Sequence, residues 1–311
     1  MSTEKTFDPG ITGQVFADAK AAGRGALVGY LPVGYPSVSG SLDAMRTLCG
    51  VGPSGQHEFD GVDLVEIGMP YSDPVMDGVT IQKAATRALE RGVRVKDVFT
   101  AVEAVAATGT PSVVMIYWNL VERYGPDAFA RDLASAGGAG LITPDLTPDE
   151  GGAWFEASDQ HGLDRIFLVA PSSSDERLAA TVDSCRGWVY ATAVMGVTGA
   201  RQQTSSAAPT LVERVRTCRP DARVGVGLGI SNGEQAAEVN SYADAAIVGS
   251  ALVGQVVRAD DAGDPGDLAG LRAVVADLAA GVRNGSASRT TSQTPDTALS
   301  GTSEPAVRLS D

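Results

Sequence analysis

Two carboxylates, Glu66 and Asp77, are the side chains best suited to proton chemistry in this chain. Glu66 stands near the end of the apolar run Val62–Ile67, and a turn-rich loop then presents Asp77. Burying an unpaired charge is costly, so a Glu at the end of a buried strand has either a partner or a task. The chain has only 2 histidines, the usual general acid and base. The residues leave two alternatives open, a structural carboxylate at Glu66 and a helix cap at Asp77.

Glycine-containing loops follow three later apolar runs, within Met195–Gly199, Gly227–Ser231 and Gly249–Ser250. Glycine lets a backbone approach a phosphate closely, and a helix N-terminus supplies N–H groups and a favourable dipole. Three such loops in succession favour a phosphate site. The alternative is a set of ordinary tight turns.

Aromatic residues mark two further places. Tyr30, near the end of the first apolar run, either lines a pocket for an aromatic ligand or fills the core of a barrel. The segment Tyr117–Tyr124 contains three aromatic residues in a predicted loop, which favours an interface or a lid.

Metal ligands and paired cysteines are not expected. No group of His, Asp and Glu has the spacing of a metal site. His57 lies in a turn-rich segment and His161 at the predicted end of a helix, so both are expected to be structural or at the surface. The cysteines lie far apart and form no CxxC pair, which argues against a zinc knuckle and a disulfide framework; they are Cys49, Cys185 and Cys218.

Short β-rich runs alternate with helical patterns along most of the chain, which indicates βα units and a parallel sheet. Eight units fit a single-domain (β/α)8 TIM barrel, in which the loops after the strands carry function. An open doubly wound sheet is the alternative, although the first βα turn, Leu31–Ser37, lacks its G-x-G-x-x-G fingerprint. The predicted strands are Ala26–Leu31, Val62–Ile67, Ser112–Tyr117, Ala139–Thr143, Arg165–Val169, Trp188–Ala191, Arg223–Gly227 and Ala245–Val248. The predicted helices are Ser37–Leu48, Thr80–Glu90, Ala128–Ala136, Pro148–Gln160, Asp175–Asp183, Pro209–Thr217, Asn232–Glu238, Ala251–Arg258 and Leu268–Val282.

The domain boundaries follow from composition. We expect an N-terminal extension over residues 1–10, the barrel over 11–283 and a tail over 284–311. The tail is rich in Ser and Thr and poor in large apolar residues, so it is expected to be disordered. Residues 50–61 form a glycine-rich insertion typical of a flexible surface loop.

Charge and hydropathy argue against several classes of partner. The net charge is −14 and the acidic residues are scattered, which argues against binding nucleic acid or an anionic membrane surface. No apolar run approaches the ~18 residues of a membrane span, and the polar start of the chain has no signal-peptide core. A cytoplasmic protein is therefore expected.

The sequence resembles the tryptophan synthase alpha chain family over residues 11–283, apart from the 50–61 insertion. The resemblance is carried by Val65–Gln82, Gly196–Gly199, Gly229–Ser231 and Gly249–Ser250. It implies a carbon–carbon lyase of tryptophan biosynthesis, which cleaves indole-3-glycerol phosphate to indole and glyceraldehyde 3-phosphate without a cofactor in this chain. It also implies a beta subunit that holds pyridoxal phosphate, receives the indole and joins the chain in an α2β2 heterotetramer.

The resemblance also assigns roles to single residues. Glu66 matches the family's catalytic glutamate, Asp77 the aspartate that accepts from the indole N–H, and Tyr190 the active-site tyrosine near that glutamate. The other matches fall in the substrate phosphate site (Gly199, Gly229, Gly249 and Ser250), the indole pocket and its loop (Tyr30 and Thr198), and the loop that meets the beta subunit (Tyr117 and Asn119).

Some positions depart from the family pattern. Val194 stands where many relatives have Arg, and Met76 and Val79 stand where Ala and Pro are frequent. Tyr30 replaces a frequent Phe. These departures leave open how the loops close and how mobile the Asp77 loop is.

Two other functions stay open at this level. One is another phosphosugar barrel, such as an isomerase, an epimerase or an indole glycerol phosphate synthase. A synthase would need a catalytic Lys at a strand end, and none of the eight predicted ends has one. The other is a non-catalytic regulatory subunit that keeps only the phosphate site, against which the intact Glu66 and Asp77 argue.

Overall fold

The structure is a computed structural model that describes residues 6–74, 77–192, 207–227 and 229–284 of the 311. Its strands within these ranges are all parallel and belong to one sheet. They are β1 Ala26–Pro32, β2 Leu64–Gly68, β3 Ser112–Met115, β4 Gly140–Ile142, β5 Asp164–Ile166, β6 Leu168–Val169, β7 Val189–Thr192, β8 Val224–Gly227 and β9 Ala245–Val248.

The sheet closes into a barrel where β5 is followed by β6 along the chain. The strand order is β5-β4-β3-β2-β1-β9-β8-β7-β6, and only Phe167 separates β5 from β6 along the chain. β5 pairs with β4, whereas β6 pairs with β7. The predicted strand Arg165–Val169 is therefore two segments that change neighbour at Phe167. The predicted TIM barrel is confirmed, and the alternative of an open sheet is wrong.

Helices follow the strands in the order expected for βα units. They are α1 Gly10–Ala21, α2 Val38–Leu48, α3 Val79–Glu90, α4 Asp97–Ala106, α5 Trp118–Tyr124, α6 Pro126–Ser135, α7 Gly152–His161, α8 Asp175–Ser184, α9 Ala207–Cys218, α10 Gly233–Asn240, α11 Ser250–Asp261 and α12 Ala269–Asn284, with a 3-10 turn at Pro148–Glu150. All nine predicted helices are present, but α1, α4 and α5 were not predicted. Within the aromatic segment, Trp118–Tyr124 is thus a short helix rather than a loop, and it buries Val121 on one face.

Polar caps fix where several helices begin. The Ser37 side chain accepts from the Gly40 N–H at 3.0 Å, directly before α2. The Asn232 side chain accepts from the Gln235 N–H at 2.9 Å, directly before α10. Each cap satisfies an N–H group that has no partner inside the helix. This is why the predicted helix starts at these two residues lie within one residue of the observed ones.

One apolar layer fills the inside of the barrel, and a second lies between the sheet and the helices. Alternate strand residues, among them Val28, Leu64 and Val113, pack inside the barrel with Trp188, which directly precedes β7, while their neighbours pack outward against the helices. Helix α1 contributes Phe16 to the inner layer, with its ring centroid 5.3 Å from that of Trp188. Because the inner residues it joins lie at the strand starts, α1 closes the N-terminal end of the barrel.

Truncating the Phe16 side chain of α1 should destabilise the fold. Phe16 is fully buried, so Phe16→Ala is expected to lower the free energy of unfolding by about 3–5 kcal/mol through lost burial and a new cavity. Urea denaturation measures the change. Ile11→Ala on the same helix is the control, since Ile11 is 49% exposed and its loss should cost far less. Equal effects of the two changes would contradict the inner packing of Phe16 at the N-terminal end of the barrel.

The 50–61 insertion forms a compact turn against α12. Val51 and His57 make an antiparallel bridge across it. Arg272 of α12 pairs with Glu58 at a distance of 3.2 Å. The flexibility expected from its composition stays a prediction, and these contacts argue for a defined shape.

The two ends of the chain are described only in part. The Phe7 N–H donates to the Asp221 carboxylate at 2.7 Å, so part of the predicted extension is tied to the barrel. Of the predicted tail, only Asn284 lies within the described residues. None of the helices in the described ranges is long and apolar enough to cross a membrane.

Candidate active site

Strand β2 places the Glu66 side chain inside the barrel. All five residues of the strand are buried, with Leu64 in the inner apolar layer and Val65 and Ile67 in the outer one. Side chains alternate along a strand, so Glu66 points inward on the same face as Leu64. Glu66 is 1% exposed, and its Oε2 atom has no hydrogen-bond partner among the described residues. A structural carboxylate would have such a partner.

The surroundings of Glu66 favour its protonated form. Burial raises the pKa of Glu66 to about 8, and the negative charge of Asp77 acts in the same direction. No cation from the described part of the chain offsets these two effects. Glu66 is therefore a carboxylic acid at neutral pH, able to donate a proton.

Asp77 faces the same pocket from the loop between β2 and α3. The residue that caps α3 is Gly78, and no side chain makes a capping bond there, so the alternative of Asp77 as a helix cap is wrong. The backbone carbonyl of Asp77 accepts from Gln82 Nε2 at 2.9 Å, which ties the end of the loop to the helix. Burial raises the pKa of Asp77 to about 6, so this carboxylate is mostly charged at neutral pH.

Two tyrosines approach the carboxylates from other strands. Tyr30 of β1 is the register partner of Glu66, and Tyr190 of β7 stacks on Trp188 with ring centroids 5.4 Å apart. Burial raises the pKa of both tyrosines well above the ordinary value, and the charges of Glu66 and Asp77 raise it further. Both hydroxyls therefore lie within electrostatic range of the two carboxylates and keep their protons.

Glycines make room for the two tyrosine rings. A Cβ atom at Gly68 would lie 2.3 Å from the Tyr30 hydroxyl, and one at Gly227 would lie 2.8 Å from the Tyr190 hydroxyl. Any larger residue would displace the rings. Sequence reasoning missed Gly68, although it stands two residues after Glu66 and therefore on the same face of β2.

Three of the four predicted phosphate-binding residues, Gly229, Gly249 and Ser250, follow the adjacent strands β8 and β9. Gly229 has a φ of +68°, which favours glycine. Gly249 directly precedes α11 and Ser250 begins it, with no side-chain cap. The first N–H groups of a helix have no partner within it and attract anions. The third glycine loop, with Thr198 and Gly199, lies outside the described residues.

The strand order groups these residues on one side of the barrel mouth. Strands β7, β8, β9, β1 and β2 are consecutive neighbours. Tyr30 on β1 therefore stands between Gly249, which follows β9, and Glu66 on β2. The pocket thus has a candidate anion site at one end and two carboxylates at the other.

The predicted partner-binding residues lie beside the Asp77 loop. Tyr117 directly precedes α5, and its ring stacks on that of Tyr71 with centroids 4.3 Å apart and 15° between the planes. The Trp118 N–H donates to both Asp145 carboxylate oxygens, at 2.9 and 3.1 Å. Asn119 is exposed. That a partner subunit contacts Tyr117 and Asn119 stays a prediction.

The remaining candidate residues lie away from this pocket or outside the described ranges. His57 bonds the Thr108 carbonyl at 3.1 Å and His161 bonds Asp127 at 2.8 Å. In the ranges that the structure describes, no three His, Cys, Asp or Glu side chains converge to hold a metal ion. Val79 is 75% exposed at the start of α3. Met76 and Val194 lie outside the described residues.

Comparison of the whole chain with known proteins agrees on one family. The sequence model described as "Tryptophan synthase alpha chain" matches residues 16–282. The chain is 56% identical over 281 residues to a tryptophan synthase alpha chain of Mycobacterium intracellulare, covering 90% of this chain and 97% of the relative. It is 57% identical over 271 residues to one of Salinispora tropica, covering 87% and 97%.

Solved structures give the same result. Tryptophan synthase of Mycobacterium tuberculosis in space group F222 matches with a TM-score of 0.80 and 54% identity, covering 89% of this chain and 99% of that one. Tryptophan synthase subunit alpha of Legionella pneumophila matches with a TM-score of 0.76 at 28% identity, covering 88% and 99%.

Proposed function

Because the chain belongs to the tryptophan synthase alpha chain family, we propose that its cleavage of indole-3-glycerol phosphate to indole and glyceraldehyde 3-phosphate depends on Glu66 and Asp77. The observation that carries this proposal is the buried Glu66 carboxyl, whose Oε2 has no partner among the described residues. Family membership excludes the isomerase, epimerase, synthase and regulatory-subunit alternatives.

The reaction begins with a proton transfer to carbon. Glu66, protonated because burial raises its pKa to about 8, gives its proton to C3 of the indole ring. This breaks the aromaticity of the ring and places a positive charge on the ring N–H. The charged Asp77 accepts a hydrogen bond from that N–H and stabilises the charge where it develops.

The second step breaks the carbon–carbon bond. The Glu66 carboxylate, now without its proton, removes the proton of the neighbouring glycerol hydroxyl. The O–H electrons form the aldehyde carbonyl, and the electrons of the broken bond return to the ring and neutralise its nitrogen. Glu66 ends protonated as it began, so the chain needs no cofactor for this cycle.

The phosphate of the substrate is held at the ends of β8 and β9. Gly229 and Gly249 leave space for the phosphate oxygens, and the N–H groups at the start of α11, with the Ser250 hydroxyl, donate to them. Holding the phosphate there directs the indole past Tyr30 toward Glu66 and Asp77. Gly199, Thr198 and Tyr190 complete the proposed site by resemblance to the family.

The pH dependence of turnover tests the two carboxylates together. Activity should rise as the pH increases through about 6, the raised pKa of Asp77, because Asp77 must be charged. It should fall as the pH increases through about 8, the raised pKa of Glu66, because Glu66 must carry a proton. The two carboxylates interact, so each pH limit of activity is a property of the pair rather than of one residue. Measuring kcat for indole release across this range checks the bell shape. A kcat that stays at its maximum as the pH increases beyond about 9 would contradict it.

The alpha chain acts with the beta subunit, which holds pyridoxal phosphate. We propose that the two form an α2β2 heterotetramer in which Tyr117 and Asn119 face the partner and indole passes directly to it. Contact through Tyr117 would reach the Asp77 loop by way of its stack on Tyr71. Equal substrate affinity and turnover with and without the beta subunit would remove this coupling.

We also propose that the chain works in the cytoplasm, as one barrel domain over residues 11–283. Cys49, Cys185 and Cys218 are free thiols in the described structure, as is typical of a reducing compartment. Cell fractionation tests the location.

A further inference from the structure

Tyr30 and Glu66 stand side by side inside the barrel. The two residues are register partners on the paired strands β1 and β2. Residues opposite each other on neighbouring parallel strands point to the same face of the sheet. Glu66 faces the interior, and so does Tyr30.

The Tyr30 ring leans toward the strand of Glu66. Its Cδ1 edge lies 3.5 Å from where a Cβ would stand at Gly249, on the β9 side. Its hydroxyl lies only 2.3 Å from where a Cβ would stand at Gly68, on the β2 side. The absence of a side chain at Gly68 therefore lets the hydroxyl come to rest on the strand that carries Glu66, two residues further along.

Both side chains are buried, and the Glu66 carboxyl has an oxygen without a hydrogen bond. Tyr30 is 8% exposed and Glu66 is 1% exposed. Glu66 Oε2 has no hydrogen-bond partner among the described residues. Buried polar groups are nearly always hydrogen-bonded, so an unpartnered carboxyl oxygen whose register partner is a tyrosine indicates a bond made at another stage of the reaction.

The other groups that face Glu66 limit what can stabilise it once it is charged. They are Asp77 from the loop after β2, Tyr190 from β7 and, through its interaction with Tyr30, Tyr117 before α5. Asp77 repels a second carboxylate. No cation among the described residues offsets the burial of Glu66. The donors available to a Glu66 carboxylate in this part of the chain are thus tyrosine hydroxyls.

We propose that Tyr30 is a positioning residue whose hydroxyl donates a hydrogen bond to the Glu66 carboxylate while Glu66 is without its proton. This inference rests on the proposed role of Glu66. When Glu66 protonates indole C3, its carboxylate turns to the Tyr30 O–H, which holds it next to the glycerol hydroxyl. Tyr30 keeps its own proton throughout, and the bond breaks when Glu66 takes the hydroxyl proton back.

The variant Tyr30→Phe removes the hydroxyl and keeps the ring. A hydrogen bond to a charged group is worth about one pKa unit or more, so its loss raises the pKa of Glu66. The upper pH limit of kcat should therefore move up by about one unit, and kcat at neutral pH should fall roughly tenfold because the charged intermediate is less stable. KM should change little. The experiment follows indole release against pH with the alpha chain in complex with the beta subunit.

Tyr35→Phe is the matched control. Tyr35 is a buried tyrosine just beyond β1, but its hydroxyl donates to Asp260, near the C-terminal end of α11, at 2.8 Å. Its loss should leave the pH profile in place. An unchanged profile and kcat in Tyr30→Phe would overturn the proposal, as would a rise in KM alone, which would place the hydroxyl on the substrate.

A parallel measurement separates this proposal from the role of Glu66. If Glu66→Gln is inactive and Tyr30→Phe behaves like wild type, only the role of Tyr30 fails. If Glu66→Gln stays active, the acid–base role of Glu66 fails, and the Tyr30 proposal fails with it. Infrared titration of the Glu66 carboxyl in wild type and in Tyr30→Phe gives the same shift in pKa without turnover.

Discussion

Replacing Glu66 with Gln is expected to lower the rate of indole release by about 10²–10⁴-fold, the usual contribution of a general acid–base group. The amide has the size and shape of the protonated carboxyl, so the pocket keeps its form. It has no acidic proton to give to C3 and cannot take one from the glycerol hydroxyl. The loss should appear in kcat, because both proton transfers belong to the transition states.

The measurement is single-turnover indole release from indole-3-glycerol phosphate, with the beta subunit present. Glu90→Gln is the matched control, since Glu90 is exposed at the end of α3 and its change should leave the rate within about twofold. Activity of Glu66→Gln near that of the control would make Glu66 structural. Unchanged unfolding by urea in both variants would show that the loss is chemical.

Replacing Asp77 with Asn is expected to lower kcat by about 10²–10³-fold, the effect of removing one preorganised electrostatic group. The amide can still accept from the indole N–H, but it carries no charge to balance the positive ring. The low-pH limit of the bell should disappear in the same variant, because the group whose pKa burial raises to about 6 is gone. A fall in rate with the limit still present would assign the limit to another group.

Asp73→Asn offers a control within the same loop. Asp73 is exposed and accepts from the hydroxyl of its neighbour Ser72 at 2.6 Å. Its change should leave kcat within about twofold, since surface substitutions have small effects. Equal losses in Asp73→Asn and Asp77→Asn would mean that the loop responds to its total charge rather than to one carboxylate.

Periodicity was enough to predict the barrel. The eight strand positions and nine helices follow from apolar runs of the right length between turn residues, and these local preferences agree with the final fold. Helix α1, at the N-terminal end of the barrel, was not predicted, because its weak apolar pattern precedes the first βα unit. Helix α5 was not predicted, because the aromatic residues of Tyr117–Tyr124 favoured a loop at an interface or a lid. The division of the predicted strand Arg165–Val169 at Phe167 depends on closure of the sheet.

The candidate site was predictable at Glu66, because a carboxylate inside an apolar run is costly unless it has a purpose. Its protonation was not, since the pKa depends on how completely Glu66 is buried and on how near the chain brings Asp77. The place of Gly68 beneath the Tyr30 hydroxyl likewise depends on the pairing of β1 with β2. Residue types and spacing are local properties and can be deduced from the chain alone, whereas burial, strand register and the meeting of distant charges arise only when the barrel closes.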